Sequence, residues 1–309
     1  MDRRAFTVRA PATTANLGPG FDAFGLALDL WNEVEFSFDV SETTVTQEGY
    51  AVPLSASPEE NLVLKSFRLL CEENGKTAPS AVRLHLRNRI PPASGLGSSA
   101  AAIACGLVAA NEAMGIHLPQ PELVDPGTRL EGHPDNIAAA LIGGLTVGAV
   151  GGEGEGTLIV SYPIENWKIA ILKPKMTILT EDARNALPKR VELADAVFNL
   201  QRIPFLLSAL CGGDETTLEF AMRDRLHQPY RLALIPGGRE ILTAAKKAGA
   251  AGCAVSGAGP SLIAFSMQPI EPVLEAMAEA CAKTGTEAET FILSPTAKSA
   301  AIVADKETK

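Results

Sequence analysis

At 309 residues the chain exceeds the ~250–300 at which a single hydrophobic core stops growing, so two domains are expected. Apolar residues at 46% and charged residues at 20% give the balance of a folded globular protein, which excludes a disordered, collagen-like or fibrous chain. Lys and Arg number 27 against 36 Asp and Glu, a formal charge of −9. That balance argues against sequence-independent nucleic-acid binding and requires any phosphate ligand to be held by a local site.

Taken in chain order, Met1-Asp2-Arg3-Arg4 has no apolar run behind it and does not read as a signal peptide. Phe6, Val8 and Ala10 alternate with polar partners as in a strand, which gives way at Pro11 to a small-residue and Gly-rich loop. Ala23–Leu30 and Glu33–Val40 read as two further strand-like pieces, Asn61–Glu73 as an amphipathic helix, and Ala81–Arg89 as another strand. The alanine-rich run Ser98–Met114 is a long helix former without proline, and Glu122–Glu131 reads as a short helix despite Pro126-Gly127. Ile137 to Gly152 is uncharged but falls short of the ~20 residues of a spanning helix. Gly151-Gly152-Glu153-Gly154-Glu155-Gly156 is a flexible turn, and the domain boundary is expected near 155–166. Beyond it come strands at Thr157–Tyr162, Trp167–Leu172, Gly252–Ser256, Ser261–Met267 and Glu287–Leu293. Helices are expected at about Glu192–Leu210, Thr216–Asp224, Arg239–Ala248 and Pro272–Lys283. Strands and helices mingle in both halves, so the fold class is α+β. The five cysteines are far apart without a Cys-x-x-Cys, which suggests neither a zinc cage nor a redox pair. A cytoplasmic protein with no membrane and no nucleic-acid partner is expected.

Three segments carry chemistry. Pro91-Pro92-Ala93-Ser94-Gly95-Leu96-Gly97-Ser98-Ser99-Ala100-Ala101 lies between a strand and the alanine-rich helix. Its glycines let backbone approach an anion, and the helix N-terminus offers unpaired N–H groups and the positive end of a dipole. The serines can cap the helix or turn a hydroxyl toward Mg²⁺. Gly95-Leu96-Gly97-Ser98-Ser99-Ala100 also spells a dinucleotide fingerprint, but Pro91-Pro92 separates it from the strand and no acid stands ~20 residues on to hold a ribose. Gly75-Lys76-Thr77 ends like a Walker A motif, but Leu70 stands where its first glycine belongs. Glu131-Gly132-His133-Pro134-Asp135-Asn136 suits a polar site, with Glu131 a hard oxygen ligand for Mg²⁺ and His133, Asp135 and Asn136 facing a substrate. Its bland reading is a helix stopped by Gly132, with Asp135 or Asn136 capping the apolar helix that begins at Ile137. Val255-Ser256-Gly257-Ala258-Gly259-Pro260-Ser261 is either a tight connection or a place where backbone meets a ligand. Arg184 and Arg231, the latter before an apolar stretch read as a strand, have forks suited to a carboxylate.

In this order the segments resemble the three signature motifs of the GHMP kinases. The first is Pro11-Ala12-Thr13-Thr14-Ala15-Asn16-Leu17-Gly18-Pro19-Gly20-Phe21-Asp22, the second the Pro91–Ala101 loop, the third Gly257-Ala258-Gly259-Pro260-Ser261. The Glu131–Asn136 segment is similar to that of the branch acting on L-homoserine, and the resemblance spans residues 6 to about 265. It implies an N-terminal domain like domain 2 of ribosomal protein S5 (1–160, ATP-binding) and a ferredoxin-like C-terminal domain (161–309). It implies ATP with its phosphates on Pro91, Pro92, Ala93, Ser94, Gly95, Leu96, Gly97, Ser98, Ser99, Ala100 and Ala101, without a Walker lysine, and Mg²⁺ at Ser99 and Glu131. For the substrate it implies Asn16 at the reacting hydroxyl and Asp22 at the ammonium group, with His133 and Asn136 lining the pocket. Arg184 and Arg231 would clamp the α-carboxylate, and the turn carrying Gly257 and Gly259 would close over both ligands.

Asn16, Asp135 and Asn136 are the catalytic candidates. Asp135 is the acid the residues offer to take the hydroxyl proton. The resemblance implies instead that positioning and charge neutralisation suffice for a loose transition state. A homodimer is expected from relatives. The alternatives are another GHMP kinase of a small alcohol and a non-catalytic nucleotide-binding regulator. The missing lysine in the first motif counts against a mevalonate-type site, and the filled positions count against a regulator.

Overall fold

β1 (Ala5–Ala15) pairs antiparallel with β2 (Phe24–Ser37), and this hairpin is the spine of the first layer. The computed structural model describes residues 5–52, 58–152 and 154–303, so Met1-Asp2-Arg3-Arg4 and Glu153 of the glycine-rich turn lie outside the described residues. β2 is one continuous strand, not the two pieces read from the sequence. The register jumps between Pro11, opposite Trp31, and Ala12, opposite Leu28, so Asp29 and Leu30 bulge out and break the alternation without breaking the strand. Its two halves do different work: Phe24–Leu26 pair with β5 (Leu145–Val150), and Glu33–Ser37 pair with β4 (Arg83–Asn88), which carries β3 (Thr44–Gly49) in parallel. β6 (Thr157–Tyr162) completes this side against β5.

Four helices pack on the sheet: α1 (Leu62–Glu73), α2 (Ser98–Ala113), α3 (Val124–Glu131) and α4 (Asp135–Ile142). Asn61 caps α1 by accepting from Val63 N. α2 runs through the core because its alanines and Gly106 keep it thin. A Cβ on Gly106 would sit 2.1 Å from Ser66 Oγ and 2.2 Å from Val63 O, so α1 and α2 meet backbone to backbone there. The uncharged Ile137 to Gly152 stretch resolves into the end of α4, a turn at Gly143-Gly144 and the unexpected strand β5. Among the described residues no helix is long and apolar enough to cross a membrane.

The second layer is the four-stranded antiparallel sheet of β7 (Lys168–Pro174), β8 (Gly252–Val255), β9 (Leu262–Ser266) and β10 (Ala288–Leu293). Its spatial order β10-β7-β9-β8 is the βαββαβ arrangement of a ferredoxin-like domain. Between β7 and β8 run α5 (Thr180–Asn185), α6 (Leu193–Gly212), α7 (Glu215–Ala221), α8 (Gln228–Arg231) and α9 (Gly238–Lys247), and α10 (Glu271–Ala282) joins β9 to β10. Alternation sorts the faces: Ile169, Ile171, Ile263 and Phe265 join the main core with Leu206 and Leu210, while Ala170, Leu172, Leu262 and Ala264 pack with Ile241, Val273 and Met277. A 3-10 turn, Leu232–Leu234, follows Arg231 where a strand was expected, since an apolar run this short does not settle its own period.

Past β10 the chain returns to the first layer. Ser294 O accepts from Asp29 N (3.0 Å), Thr296 N donates to Ala27 O (3.0 Å) and Ala300 N to Ala140 O (2.8 Å) before β11 (Ala301–Val303) pairs with β1. One cut near residue 160 therefore does not separate the sheets, because the last strand of the 161–309 half belongs to the first.

Candidate active site

Six segments meet where the layers touch: the loop after β1, the Pro91–Gly97 loop before α2, the α3–α4 link, α5, the end of α8, and the β8–β9 turn. Backbone hydrogen bonds fasten them: Thr13 N to Leu96 O (3.1 Å), Gly257 N to Ala15 O (3.2 Å), and Ser261 N to Ser94 O (3.1 Å). Ser256, which is fully buried, is the common knot. Its Oγ lies 2.6 Å from the Gly95 carbonyl and 2.8 Å from Thr14 Oγ1. A carbonyl only accepts, so the Ser256 proton goes to Gly95 and Thr14 donates to Ser256. Three motifs distant in sequence share these two bonds.

The loop is tight because its glycines are required. Gly97 has φ +68° and precedes α2 as its N-cap; no side chain caps this helix, so of the two roles open to the serines capping is not the one taken. That leaves the first-turn N–H groups facing the cavity, with the dipole behind them. A Cβ on Gly97 would meet Thr13 Oγ1 at 1.9 Å. Ser99 Oγ instead turns outward and donates to Glu131 Oε1 at 2.7 Å.

Two cavities join along this loop. The larger, ≈420 Å³, is lined by Val34, Val45, Leu62, Val63 and Leu86, with the amides of Asn32, Asn61 and Asn88 and with Pro92, Ala93, Ser98, Ser99 and Ala101. It is an apolar slot with a few polar groups, the usual form of a ligand site. The smaller, ≈240 Å³, is polar and holds Asn16, Asp22, Glu131, His133, Asp135, Asn136, Arg184, Arg231, Gly257 and Gly259. Ala93, Ser98 and Ser99 line both. Ser94, Gly95 and Gly97 face the smaller one. Pro91, Leu96 and Ala100 line neither: their side chains are buried, Leu96 and Ala100 in the main core, so they shape the loop from beneath.

Within the polar cavity Asn16 holds φ +70°, a left-handed conformation that asparagine tolerates better than most residues. Its Nδ2 donates to Gly257 O (3.0 Å) and its Oδ1 accepts from Asp22 N (3.0 Å). One N–H and one lone pair remain for a ligand. Asp22 and Arg184 form a two-point fork, Nη1 to Oδ2 at 3.1 Å and Nη2 to Oδ1 at 2.9 Å. Arg231 is 2% exposed, donates from Nη1 to Gly257 O (2.8 Å), and its Nε is buried without a partner. Both guanidinium groups lie over the Phe21 ring, at 5.8 Å for Arg184 and 5.0 Å for Arg231, so the sequence-distant arginines do converge.

Asp135 Oδ1 accepts from His133 Nδ1 (2.5 Å), Asn136 N (2.6 Å) and Asn136 Nδ2 (3.2 Å). Thr13 Oγ1 donates to Asn136 Oδ1 at 2.8 Å, fixing that amide from the other side. Burial alone would push the His133 imidazole down, but the Asp135 hydrogen bond and the charges of Asp135, Glu131 and Asp22 outweigh it and hold the ring above its ordinary value. Burial, with Asp135 adding to it, raises the Glu131 carboxyl against the opposing Ser99 hydrogen bond and His133. Glu131 and Ser99 thus present hard oxygen donors, and burial leaves the Glu131 carboxylate poorly solvated, a cost that a bound divalent cation would offset. Asp22, His133 and Asp135 bring one donor atom each within 4.8 Å of one another, a second place where a positive group can be held.

Several site residues escaped the sequence reading. Asn32, Asn61 and Asn88 come from two strands and a helix cap and share no motif. Thr13, Thr14 and Ser256 stood inside the quoted motifs, yet their hydroxyl partners are long-range.

The GHMP kinases N terminal domain matches residues 61–144 and the GHMP kinases C terminal domain residues 206–283. A homoserine kinase of Carboxydothermus hydrogenoformans is 42% identical over 288 residues, covering 93% of each chain. One of Gloeobacter violaceus is 44% identical over 279 residues, 88% of this chain and 91% of that protein. The crystal structure of homoserine kinase from Cytophaga hutchinsonii superposes with a TM-score of 0.86 at 29% identity, covering 98% of both chains.

Proposed function

The chain belongs to the GHMP kinase family, and within it we propose that it is the ATP-dependent kinase of L-homoserine, making O-phospho-L-homoserine on the route to threonine. The observation that carries this reading is the polar cavity itself. It pairs an acid, Asp22, with two convergent arginines beside the phosphate loop. An α-amino acid brings an ammonium and a carboxylate, so it can take up Asp22 and the arginines in place of their mutual pairing. Mevalonate has no ammonium group, and galactose has neither charge.

In this reading the adenosine of ATP occupies the apolar cavity and the phosphates cross Ser94–Ser99 into the polar one. The first-turn N–H groups of α2 and the backbone of the glycine loop bind and orient the phosphate oxygens, with no lysine needed in the loop. Asn16 and Asn136 position the homoserine hydroxyl, and Asp22 with His133 and Asp135 surrounds the ammonium. Arg231 and Arg184 hold the carboxylate. Ser99 and Glu131 would hold Mg²⁺, which when bound neutralises charge on the phosphates. Asp135 orients rather than abstracts, since one of its oxygens already serves three donors. The loose transition state of phosphoryl transfer is served by position and charge, without a strong base. A cytoplasmic homodimer completes the reading, with the exposed Leu193, Leu200 and Phe205 of α6 as a surface able to contribute.

Glu131→Gln should keep the fold, raise the Mg²⁺ concentration needed for half-maximal rate, and lower kcat about 10²-fold. Mg²⁺ titrations of initial rate check this, and unchanged Mg²⁺ dependence would remove Glu131 from that role. The reaction itself is tested by ³¹P spectroscopy of the product from L-homoserine and Mg·ATP, where a phosphomonoester on the side-chain oxygen is expected.

A further inference from the structure

The catalytic reading leaves the fully buried His227 without a task. His227, just before α8, has a fully buried ring stacked on Phe21, centroids 5.1 Å apart at 25°. Its Nε2 lies 2.7 Å from the Gly18 carbonyl. The carbonyl only accepts, so Nε2 carries the hydrogen and, in a neutral ring, Nδ1 presents a lone pair. The group facing that lone pair is Nη1 of Arg231, at 3.5 Å.

The surroundings keep this arrangement in one state. Asp224 lies 3.7 Å from Nε2, but its buried carboxylate is taken up by Asn199 Nδ2 (2.6 Å) and by the backbone N–H groups of Leu226 (3.0 Å), His227 (3.0 Å) and Gln228 (2.7 Å). That locks the turn carrying His227, so the ring cannot swing away. Burial depresses the imidazole most. Asp224 opposes it, Arg231 adds to it, the Gly18 bond and Asp22 oppose, and the net direction is down. A second proton on Nδ1 would set two cations face to face.

We infer that His227 is a positioning residue for the substrate carboxylate, its neutral Nδ1 accepting from Arg231 and its Nε2–H anchored on Gly18, so that the first motif sets the orientation of the arginine clamp. The inference rests on the homoserine reading and deepens it. Among the described residues Arg231 has only Gly257 O and His227 as hydrogen-bond partners, with Nε left open, so His227 together with Gly257 O sets which edge of the guanidinium faces the substrate.

Two substitutions separate this role from a purely structural one. An asparagine amide reaches the depth of Nδ1 and can still accept from Arg231, whereas a glutamine amide reaches the depth of Nε2 and keeps only the Gly18 anchor. His227→Gln is expected to raise the KM for L-homoserine about tenfold, the loss of one hydrogen bond to a charged group, with kcat and the KM for ATP near wild type. Its preference for L-homoserine over 3-aminopropan-1-ol, the same amino alcohol without the carboxylate, should fall by about the same tenfold factor, while His227→Asn, which keeps the acceptor for Arg231 and loses only the Gly18 anchor, should lose clearly less. An unchanged preference in folded His227→Gln overturns the inference, as does an equal loss in both variants that follows their melting temperatures. Should His227→Gln fail to fold, ¹⁵N spectra of histidine-labelled wild type decide: a neutral Nε2–H ring at pH 6–8 is expected, and an Nδ1–H or doubly protonated ring overturns it. Wild type that turns over no homoserine overturns the functional reading and this inference together. Wild-type turnover with an unaltered variant overturns the inference alone.

Discussion

Gly95→Ala is expected to lower kcat/KM for ATP by about 10²-fold or more while the protein remains folded. Gly95 holds φ +79°, and a Cβ there would lie 2.1 Å from the backbone oxygen of Ser256 and 3.0 Å from that of Gly259. A left-handed alanine costs about 1–2 kcal/mol by itself, which the fold can absorb. The clash is the larger effect, because its partner is backbone and cannot rotate away. Relief requires the phosphate loop and the β8–β9 turn to part, which breaks the Ser256–Gly95 bond and shifts the N–H groups that grip the phosphates. Gly285→Ala is the matched control. Its φ is +76°, with nothing within 4 Å of the added carbon, so its kinetics should match wild type. Initial rates at varied ATP, with thermal melts of both variants, check the pair.

Arg231→Met is expected to lower kcat/KM for L-homoserine by about 10²-fold or more, leaving the KM for ATP within a factor of about two, since removing one side of a buried charge pair costs 2–5 kcal/mol. Arg184→Met should cost less. Arg184 has 37% of its side chain exposed, so solvent screens it, while Arg231 is 2% exposed and acts where charge is poorly screened. Arg231→Lys should not restore activity, because an ammonium lacks the planar fork that meets a carboxylate at two points while still bonding Gly257 O. Kinetics with varied homoserine at saturating ATP make the comparison, and an equal loss with 3-aminopropan-1-ol would show that the arginine acts elsewhere than on the carboxylate.

Much of this site is local and could therefore be read from the chain. The Pro91–Ala101 loop announces itself by glycines ahead of a proline-free alanine run, and His133, Asp135 and Asn136 stand within one turn of each other. The convergence of Arg184 and Arg231 was legible only through the family resemblance, because nothing in either neighbourhood points to the other. What stayed hidden depends on long-range contacts. The nucleotide slot draws Asn32, Asn61 and Asn88 from separate elements, and the Thr14–Ser256–Gly95 knot crosses from one layer to the other. The reading of β2 as two strands failed at a bulge, where two looped-out residues reset the alternation. Of the two roles open to the loop serines, capping α2 is not the one taken, because Gly97, in a conformation the loop demands, already occupies that position. The return of β11 to the first sheet had no signal in Ala301–Val303, three residues too few to show a period.

The most direct test of the account is ADP release from Mg·ATP with L-homoserine, mevalonate, galactose or no acceptor, measured side by side on the full chain. Turnover that requires both L-homoserine and Mg²⁺ is the predicted result. Turnover with mevalonate or galactose and none with homoserine would contradict the zwitterion pocket built from Asp22, Arg184 and Arg231, while leaving the kinase fold in place.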